Sequence, residues 1–220
     1  MDAFLALVQA VLALDETLAR LAAEYGPWLY ALLFLVIFAE TGLVIFPFLP
    51  GDSLLFVAGT VVAGSEGALN IHLLAALLIV AAIVGDSVNY AIGRYIGPKV
   101  FEHESRWIRR EHLLRTQDFY DRYGAVTIII GRFVPIVRTF APFLAGVAGM
   151  HYRRFLAYNV VGGVLWISSL VYAGFLFGNI PWVKDNLSLI VVAIVVVSVM
   201  PMVVTFVKER RRTAAERARG

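Results

Sequence analysis

The sequence predicts an all-α integral membrane protein: an inverted repeat of two opposed re-entrant hairpins, each followed by a transmembrane helix, with a further C-terminal transmembrane helix. Of the 220 residues, 60% are hydrophobic and 16% charged, against about 45–50% and about 25% in soluble domains. The stretches 155–183 and 186–207 carry no charge, and each exceeds the roughly 20 apolar residues that a span needs. Prolines interrupt two further apolar stretches, 25–65 and 123–150, in a similar way.

The composition excludes several classes of protein. The chain has no cysteine, so it holds neither disulfides nor thiolate metal centres. Of its 19 Lys and Arg residues, 15 lie in 94–122, 153–154 and 208–220, beside apolar stretches. Such positions are typical of the cytoplasmic ends of membrane helices, so no nucleic-acid partner is expected. No histidine pair has metal-ligand spacing, and we expect neither a metal nor a cofactor.

The first elements along the chain are an interfacial helix and a broken hairpin. Residues 1–24 alternate apolar stretches with charges, which predicts an amphipathic helix on the membrane surface, with a short span as the alternative. In 25–65, Pro47, Pro50 and Gly51 lie too close together for one continuous helix. Since the residues after this break rise only about 20 Å as a helix, less than the hydrocarbon thickness of about 30 Å, we predict a re-entrant hairpin.

The positive-inside rule orients the rest of the chain, which forms a single membrane domain over 25–207. A hairpin at 123–150, in place of a single span, keeps all the basic segments on one side, the cytoplasm. The first hairpin then enters from outside and the second from inside, as in the inverted repeats of secondary transporters. The elements after the first hairpin are a span, a cytoplasmic amphipathic segment, the second hairpin, two spans and a basic cytoplasmic tail, at 67–93, 94–122, 123–150, 154–178, 187–207 and 208–220.

Four ionisable residues lie at the two breaks: Glu40 and Asp52 in the first hairpin, Arg132 and Arg138 in the second. A charge at bilayer depth costs about 2.5–3.5 kcal/mol or more, so these side chains must face water, a ligand or each other. Two arginines in one loop favour an anion site, because a guanidinium matches phosphate with two parallel hydrogen bonds. Simpler roles stay open, with Asp52 as a helix N-cap and Glu40 as the counter-ion of an arginine.

Other polar residues in the spans are weaker candidates. Asp86 and Asn89 lie in the first span, either in a transport pathway or as hydrogen-bonding groups between helices. Asn159 and Trp166 are interpreted as packing and helix-to-helix hydrogen bonding. The sequence has no nucleophile elbow, zinc-protease or P-loop motif. We therefore expect no enzyme, and an intramembrane phosphatase or transferase using Asp52 is the enzymatic alternative.

The chain resembles the DedA family, the bacterial branch of the SNARE-associated or VTT-domain membrane proteins. The resemblance covers 25–186, and its most specific strings are 40–42, 46–56, 85–90 and 131–142. It implies two opposed re-entrant hairpins, an inner-membrane location and support of envelope integrity and membrane potential. In several members it also implies the movement of undecaprenyl phosphate or phospholipids. It further implies functional importance at Glu40, Asp52, Arg132 and Arg138.

The resulting hypothesis is a transporter of a lipid phosphate, undecaprenyl phosphate or a phospholipid, in the bacterial inner membrane. We expect Arg132 and Arg138 to bind the phosphate. Glu40 and Asp52 are expected to pair with them and couple transport to protons, because desolvation favours a neutral carboxyl and a nearby arginine favours the charged form. Membrane lipids and protons are thus the expected partners, and the oligomeric state stays open.

Two other functions also fit the sequence. One is a proton-coupled cation or drug antiporter that uses Glu40, Asp52 and Asp86 and supports membrane potential and pH homeostasis. The two arginines oppose a cation site, since they repel its occupant. The other is a scaffold for envelope assembly proteins that transports nothing.

Overall fold

The computed structural model of the chain describes residues 26, 28–43, 51–65, 67, 69–102, 126–186, 189–190 and 193. The helices of these ranges are α1 (Trp28–Gly42), α2 (Gly51–Gly64), α3 (Ile71–Glu102), α4 (Val126–Gly131), α5 (Pro135–Val147), α6 (Tyr152–Phe177) and α7 (Pro181–Asp185). No strand occurs in the described ranges, and the predicted all-helical fold is confirmed there. The predicted elements at 1–24 and 208–220, and most of 94–122 and 187–207, lie outside the described residues.

Two helical stretches in the described part of the chain are long and apolar enough to cross a membrane, Ile71–Gly97 in α3 and Tyr152–Phe177 in α6. They coincide with the spans expected at 67–93 and 154–178. Helix α3 begins after Asn70, whose Oδ1 accepts the backbone N–H groups of His72 and Leu73, as an N-cap side chain does. It continues to Glu102, beyond the expected end at residue 93.

Both apolar stretches with internal prolines are broken into two helices. Helix α1 ends at Gly42 and α2 begins at Gly51. Helix α4 ends at Gly131, and α5 begins at Pro135, whose ring suits the first turn of a helix and whose missing N–H costs nothing there. Pro142 lies inside α5 without ending it. The break in the second stretch is therefore confined to 132–134, next to Arg132.

The two halves of the chain pack by exchanging helices. The first helix of each broken pair lies on the long helix of its own half: α1 packs on α3, and α4 on α6. The second helix of each pair lies on the long helix of the other half: α2 packs on α6, and α5 on α3. Helices α3 and α6 also contact each other. Each broken pair therefore connects both long helices.

The two exchanged contacts are built from the same glycine pattern. A Cβ at Gly59 would overlap the carbonyl oxygen of Val171, and one at Gly146 would overlap that of Tyr90. From the opposite side, a Cβ at Gly174 would overlap Phe56, and one at Gly93 would overlap Phe143. Small residues of this kind let two helix backbones approach closely in a membrane. The α2–α6 and α3–α5 crossings therefore match each other contact by contact.

Apolar side chains form the interior and also cover the surface. The larger buried cluster, from α1, α2, α3 and α6, includes Leu33, Leu55, Leu78 and Ile167, each 1% exposed or less. Large apolar residues are also exposed along the long helices, for example Val80 and Val84 in α3 and Val160, Val161 and Leu165 in α6. An apolar helix surface of this kind is what a bilayer requires of a span.

Adding one methyl group at a crossing tests this packing. Gly174→Ala and Gly93→Ala place a Cβ against the backbone of the facing helix, and we expect each to lower the free energy of unfolding by about 1–3 kcal/mol. Gly64→Ala is the matched control, because a Cβ there meets nothing within 4 Å. Thermal unfolding of the purified protein in detergent measures the effect. Equal midpoints for Gly174→Ala and Gly64→Ala would show that the crossing is looser than described.

Candidate functional site

The ionisable residues of both breaks lie beside polar residues from the middle of the long helices. Glu40 is in the last turn of α1, Asp52 in the first turn of α2, and Arg138 in the first turns of α5. Asp86 comes from the middle of α3, and Arg132 follows the end of α4. The exchange of helices between halves is what assembles these positions from five elements into one polar interior.

Arg138 lies between two carboxylates of the first broken pair. Its Nη2 is 2.5 Å from Glu40 Oε1, and its Nη1 is 2.8 Å from Asp52 Oδ1. The guanidinium fork suits this arrangement, because its two terminal nitrogens donate in a fixed planar geometry. The structure thus brings together three of the four ionisable residues that the sequence singled out, across the two broken pairs.

Gly51 provides the space in which the Glu40 carboxylate lies. A Cβ on Gly51 would overlap both carboxylate oxygens of Glu40. The carboxylate therefore sits against the first turn of α2, where the free backbone N–H groups of a helix favour a negative charge. The glycine after Pro50 consequently serves the site as well as the break in the helix.

Arg132 has different partners from Arg138. Its Nη2 donates to Asp86 Oδ2 and to Asn159 Oδ1, and its stem lies against Gly162 and Gly163 of α6. The sequence analysis placed Arg132 in one group with the acids of the first broken pair, whereas the structure pairs it with Asp86 of α3. The reason is packing: α4 lies on α6, and α6 contacts α3.

The amides of Asn89 and Asn159 hold backbone and side-chain groups between helices. Asn89 Nδ2 donates to the carbonyl oxygens of Thr41 and Thr139, at 3.3 and 2.9 Å. Asn159 Nδ2 donates to the carbonyl oxygen of Ile83 at 3.0 Å, while its Oδ1 accepts from Arg132. Asn89 therefore acts as a hydrogen-bonding group between helices, whereas Asn159 also belongs to the site.

Trp166 contacts the charged residues of both breaks. Its Nε1 donates to Asp52 Oδ1 at 2.9 Å. The Cζ atoms of Arg138 and Arg132 lie 4.8 and 5.9 Å from its ring centroid, within the range of cation–π attraction. Sequence reasoning assigned Trp166 and Asn159 to packing and hydrogen bonding between helices. The signal it passed over is that a buried indole N–H or amide needs a partner.

The charges of the site are unbalanced and, with one exception, deeply buried. Three carboxylates (Glu40, Asp52 and Asp86) lie with two guanidiniums (Arg132 and Arg138). The Asp52 side chain is 19% exposed, against 5% or less for the other four. The site is therefore reached from outside at Asp52, and with every group ionised it carries one net negative charge.

Several polar atoms of the site have no hydrogen-bond partner among the described residues. They are Glu40 Oε2, Asp86 Oδ1, and the Nε and Nη1 of Arg132. Buried donors and acceptors are normally satisfied by protein or by water, so these atoms can bind water or a polar ligand. The described residues contain no group of three His, Asp or Glu side chains suited to a metal ion.

Comparison with known proteins gives the family. The model of the VTT domain matches residues 49–176. Protein DedA of Escherichia coli (strain K12) is 53% identical over 215 residues, which cover 97% of this chain and 98% of that protein. The chain belongs to the DedA family. This confirms the family that the motifs around Glu40, Asp52, Arg132 and Arg138 indicated.

Other relatives of this DedA-family chain are named as membrane proteins. Inner membrane protein YqjA of Escherichia coli (strain K12) is 36% identical over 183 residues, 82% of this chain and 81% of that protein. An uncharacterized membrane protein of Mycobacterium tuberculosis (strain ATCC 25618 / H37Rv) is 44% identical over 172 residues, 78% of this chain and 75% of that protein. No solved structure matches the chain. The apolar spans and these relatives together identify a membrane protein.

A double-variant cycle tests the pairing of Arg132 with Asp86. Asp86→Leu leaves the Arg132 guanidinium buried without its counter-charge, and we expect a loss of about 3–5 kcal/mol in the free energy of unfolding. Arg132→Met leaves Asp86 uncompensated in the same way. The double variant removes both charges, so it should unfold at a higher temperature than either single variant. Additive losses in thermal unfolding would mean that the two side chains do not depend on each other.

Proposed function

We propose that this DedA-family chain carries a phosphate-bearing lipid, undecaprenyl phosphate or a phospholipid, across the inner membrane without changing it chemically. The observation that supports it most is the buried arrangement of Arg138 with Glu40 and Asp52 inside helices whose outer surface is apolar. Ionisable groups at such depth are costly and mark pathways for charged substrates. Arg132 adds donors for a phosphate, since its Nε and Nη1 have no partner among the described residues.

The proposed topology follows from the lengths of the helices in the broken pairs. At 1.5 Å per residue, α1, α2 and α5 are each about 20 Å long, less than the bilayer core of about 30 Å. We infer that each pair enters the membrane and returns to its own side. The exchange of α2 and α5 between the long helices favours two hairpins entering from opposite sides, with the binding site where their tips meet. The basic segments, and with them the C-terminus, then face the cytoplasm.

The proposed mechanism exchanges one anion for another at the arginines. A headgroup reaches the site at Asp52, while its hydrocarbon tail stays in the lipid. The phosphate then replaces a carboxylate as a partner of Arg138. Because the site already carries three carboxylates against two guanidiniums, a further anion is tolerated only if a carboxylate takes up a proton. Glu40 and Asp52 are the groups that Arg138 would release, and their protonation couples transport to the proton gradient.

Reconstitution into liposomes tests this function. Protein in vesicles with fluorescent undecaprenyl phosphate should move the label between leaflets, as measured by loss of its accessibility to an added quencher. Arg138→Lys and Arg132→Lys keep the charge but lose the planar fork, and we expect each to reduce the rate at least about tenfold. Arg153→Ala, on the exposed first turn of α6, is the matched control and should transport at the wild-type rate.

The outcomes of that assay separate the alternatives. Movement of labelled phospholipid but not of labelled undecaprenyl phosphate would place the substrate among the phospholipids. Wild-type rates no greater than those of empty liposomes, for both lipids, would refute the proposal.

A proton-coupled cation antiporter is the second candidate, and the excess of carboxylates favours it. Asp86 adds a third acid to the buried set, so a proton or a small cation would neutralise the site. Vesicles that trap a pH-sensitive dye distinguish the two functions. Under the lipid proposal, Na⁺ or K⁺ gradients should move no protons unless a lipid phosphate is present. Cation-driven proton release without that lipid, abolished in Asp86→Asn, would establish the antiporter instead.

A further inference from the structure

Two hydrogen-bond donors from different helices converge on a single oxygen atom, Asp52 Oδ1. Arg138 Nη1 of α5 lies 2.8 Å from it, and Trp166 Nε1 of α6 lies 2.9 Å from it. One donor is charged and the other is neutral, and neither has an acceptor of its own. The two N–H groups thus form a small site for a negatively charged oxygen.

The donors of this site are fixed, whereas the oxygen they hold lies at its edge. Trp166 is 1% exposed and belongs to the main apolar cluster of α1, α2, α3 and α6. Arg138 is 6% exposed and is also bound to Glu40. The Asp52 side chain is 19% exposed, more than any other charged group of the site. A competing anion therefore meets Asp52 first, and the donors stay in place if the carboxylate moves away.

We propose that the point where the Trp166 N–H and Arg138 Nη1 converge is a binding site for one oxygen of the substrate phosphate. In the structure described here, the carboxylate of Asp52 occupies that point. This inference rests on the proposed function and adds Trp166 as a residue that binds the headgroup directly. Arg132, whose Cζ lies 5.9 Å from the same indole ring, offers its unpartnered N–H groups to the remaining phosphate oxygens.

The chemistry of the two donors explains which lipids this site accepts. A phosphate oxygen and a carboxylate oxygen are both anionic acceptors, so each satisfies two donors at once. The hydroxyl of an uncharged lipid alcohol is a weaker acceptor and cannot compete with Asp52. The site therefore selects for the phosphate group, while the tail of the lipid plays no part in this contact.

Removing only the indole N–H is the first test. Trp166→Phe keeps an aromatic ring beside both arginines but loses the donor. In dodecyl maltoside micelles, which contain no phosphate, we expect Trp166→Phe to bind radiolabelled undecaprenyl phosphate about tenfold more weakly than wild type. Trp182→Phe, at a residue 62% exposed, is the matched control and should bind like wild type. Thermal unfolding of each variant reports whether it is folded.

The second test keeps Trp166 and so does not depend on the folding of its variant. A chain carrying Trp28→Phe, Trp107→Phe and Trp182→Phe retains Trp166 as its single tryptophan. Its emission should change and saturate as undecaprenyl phosphate is added, because the acceptor of its N–H is replaced. The uncharged undecaprenol should leave the emission unchanged. A parallel titration uses inorganic phosphate in place of the lipid.

Each result of these tests supports or overturns the site. A response to inorganic phosphate as well supports it and shows that the phosphate group is sufficient; a response to the lipid phosphate alone supports it and shows that the tail is also needed for entry. If wild type binds the lipid phosphate but Trp166→Phe binds equally well and the emission is unchanged, the Trp166 site is wrong while the transport proposal stands. If wild type binds no lipid phosphate, both are wrong.

Discussion

The pairing of the Arg138 guanidinium with the carboxylates of Glu40 and Asp52 is the constraint on which the rest of the structure depends. A charge of this kind, isolated within a membrane protein, is costly, whereas paired and hydrogen-bonded charges are tolerated. The partners come from different halves of the chain and lie 98 and 86 residues away in sequence. The pairing therefore requires the two broken helical pairs to meet, which in turn explains why each helix stops where it does.

Close packing of the helices makes this meeting geometrically possible. Glycines at matched positions let α2 lie on α6 and α5 on α3 with their backbones in contact. Since there is no hydrophobic driving force between helices in lipid, this packing and the polar contacts hold the halves together. The same crossings bring the first turns of α2 and α5 into the interior beside Trp166. The apolar packing and the polar site are thus one construction, and neither is formed by one half alone.

The site consists of two arginine clusters that share one indole. Arg138 is engaged by two carboxylates, whereas Arg132 has one carboxylate and an amide. Trp166 lies beside both guanidiniums and binds the most accessible acid, Asp52. An arrangement with three acids, two bases and one accessible edge is suited to exchanging an anion or a proton. A purely structural set of ion pairs has no need of the third acid.

The sequence by itself determined the membrane class, the two described spans, both helix breaks and the residues that carry charge into the interior. These features are local, because hydropathy, proline and buried charge are read within a few residues. Only the tertiary structure decided that Arg132 pairs with Asp86 and that Asn159 and Trp166 join the site. Trp166 and Asp52 are 114 residues apart in sequence, and their contact depends on which helices cross. That choice is made by the fit of side chains and glycines between distant segments, which no local pattern records.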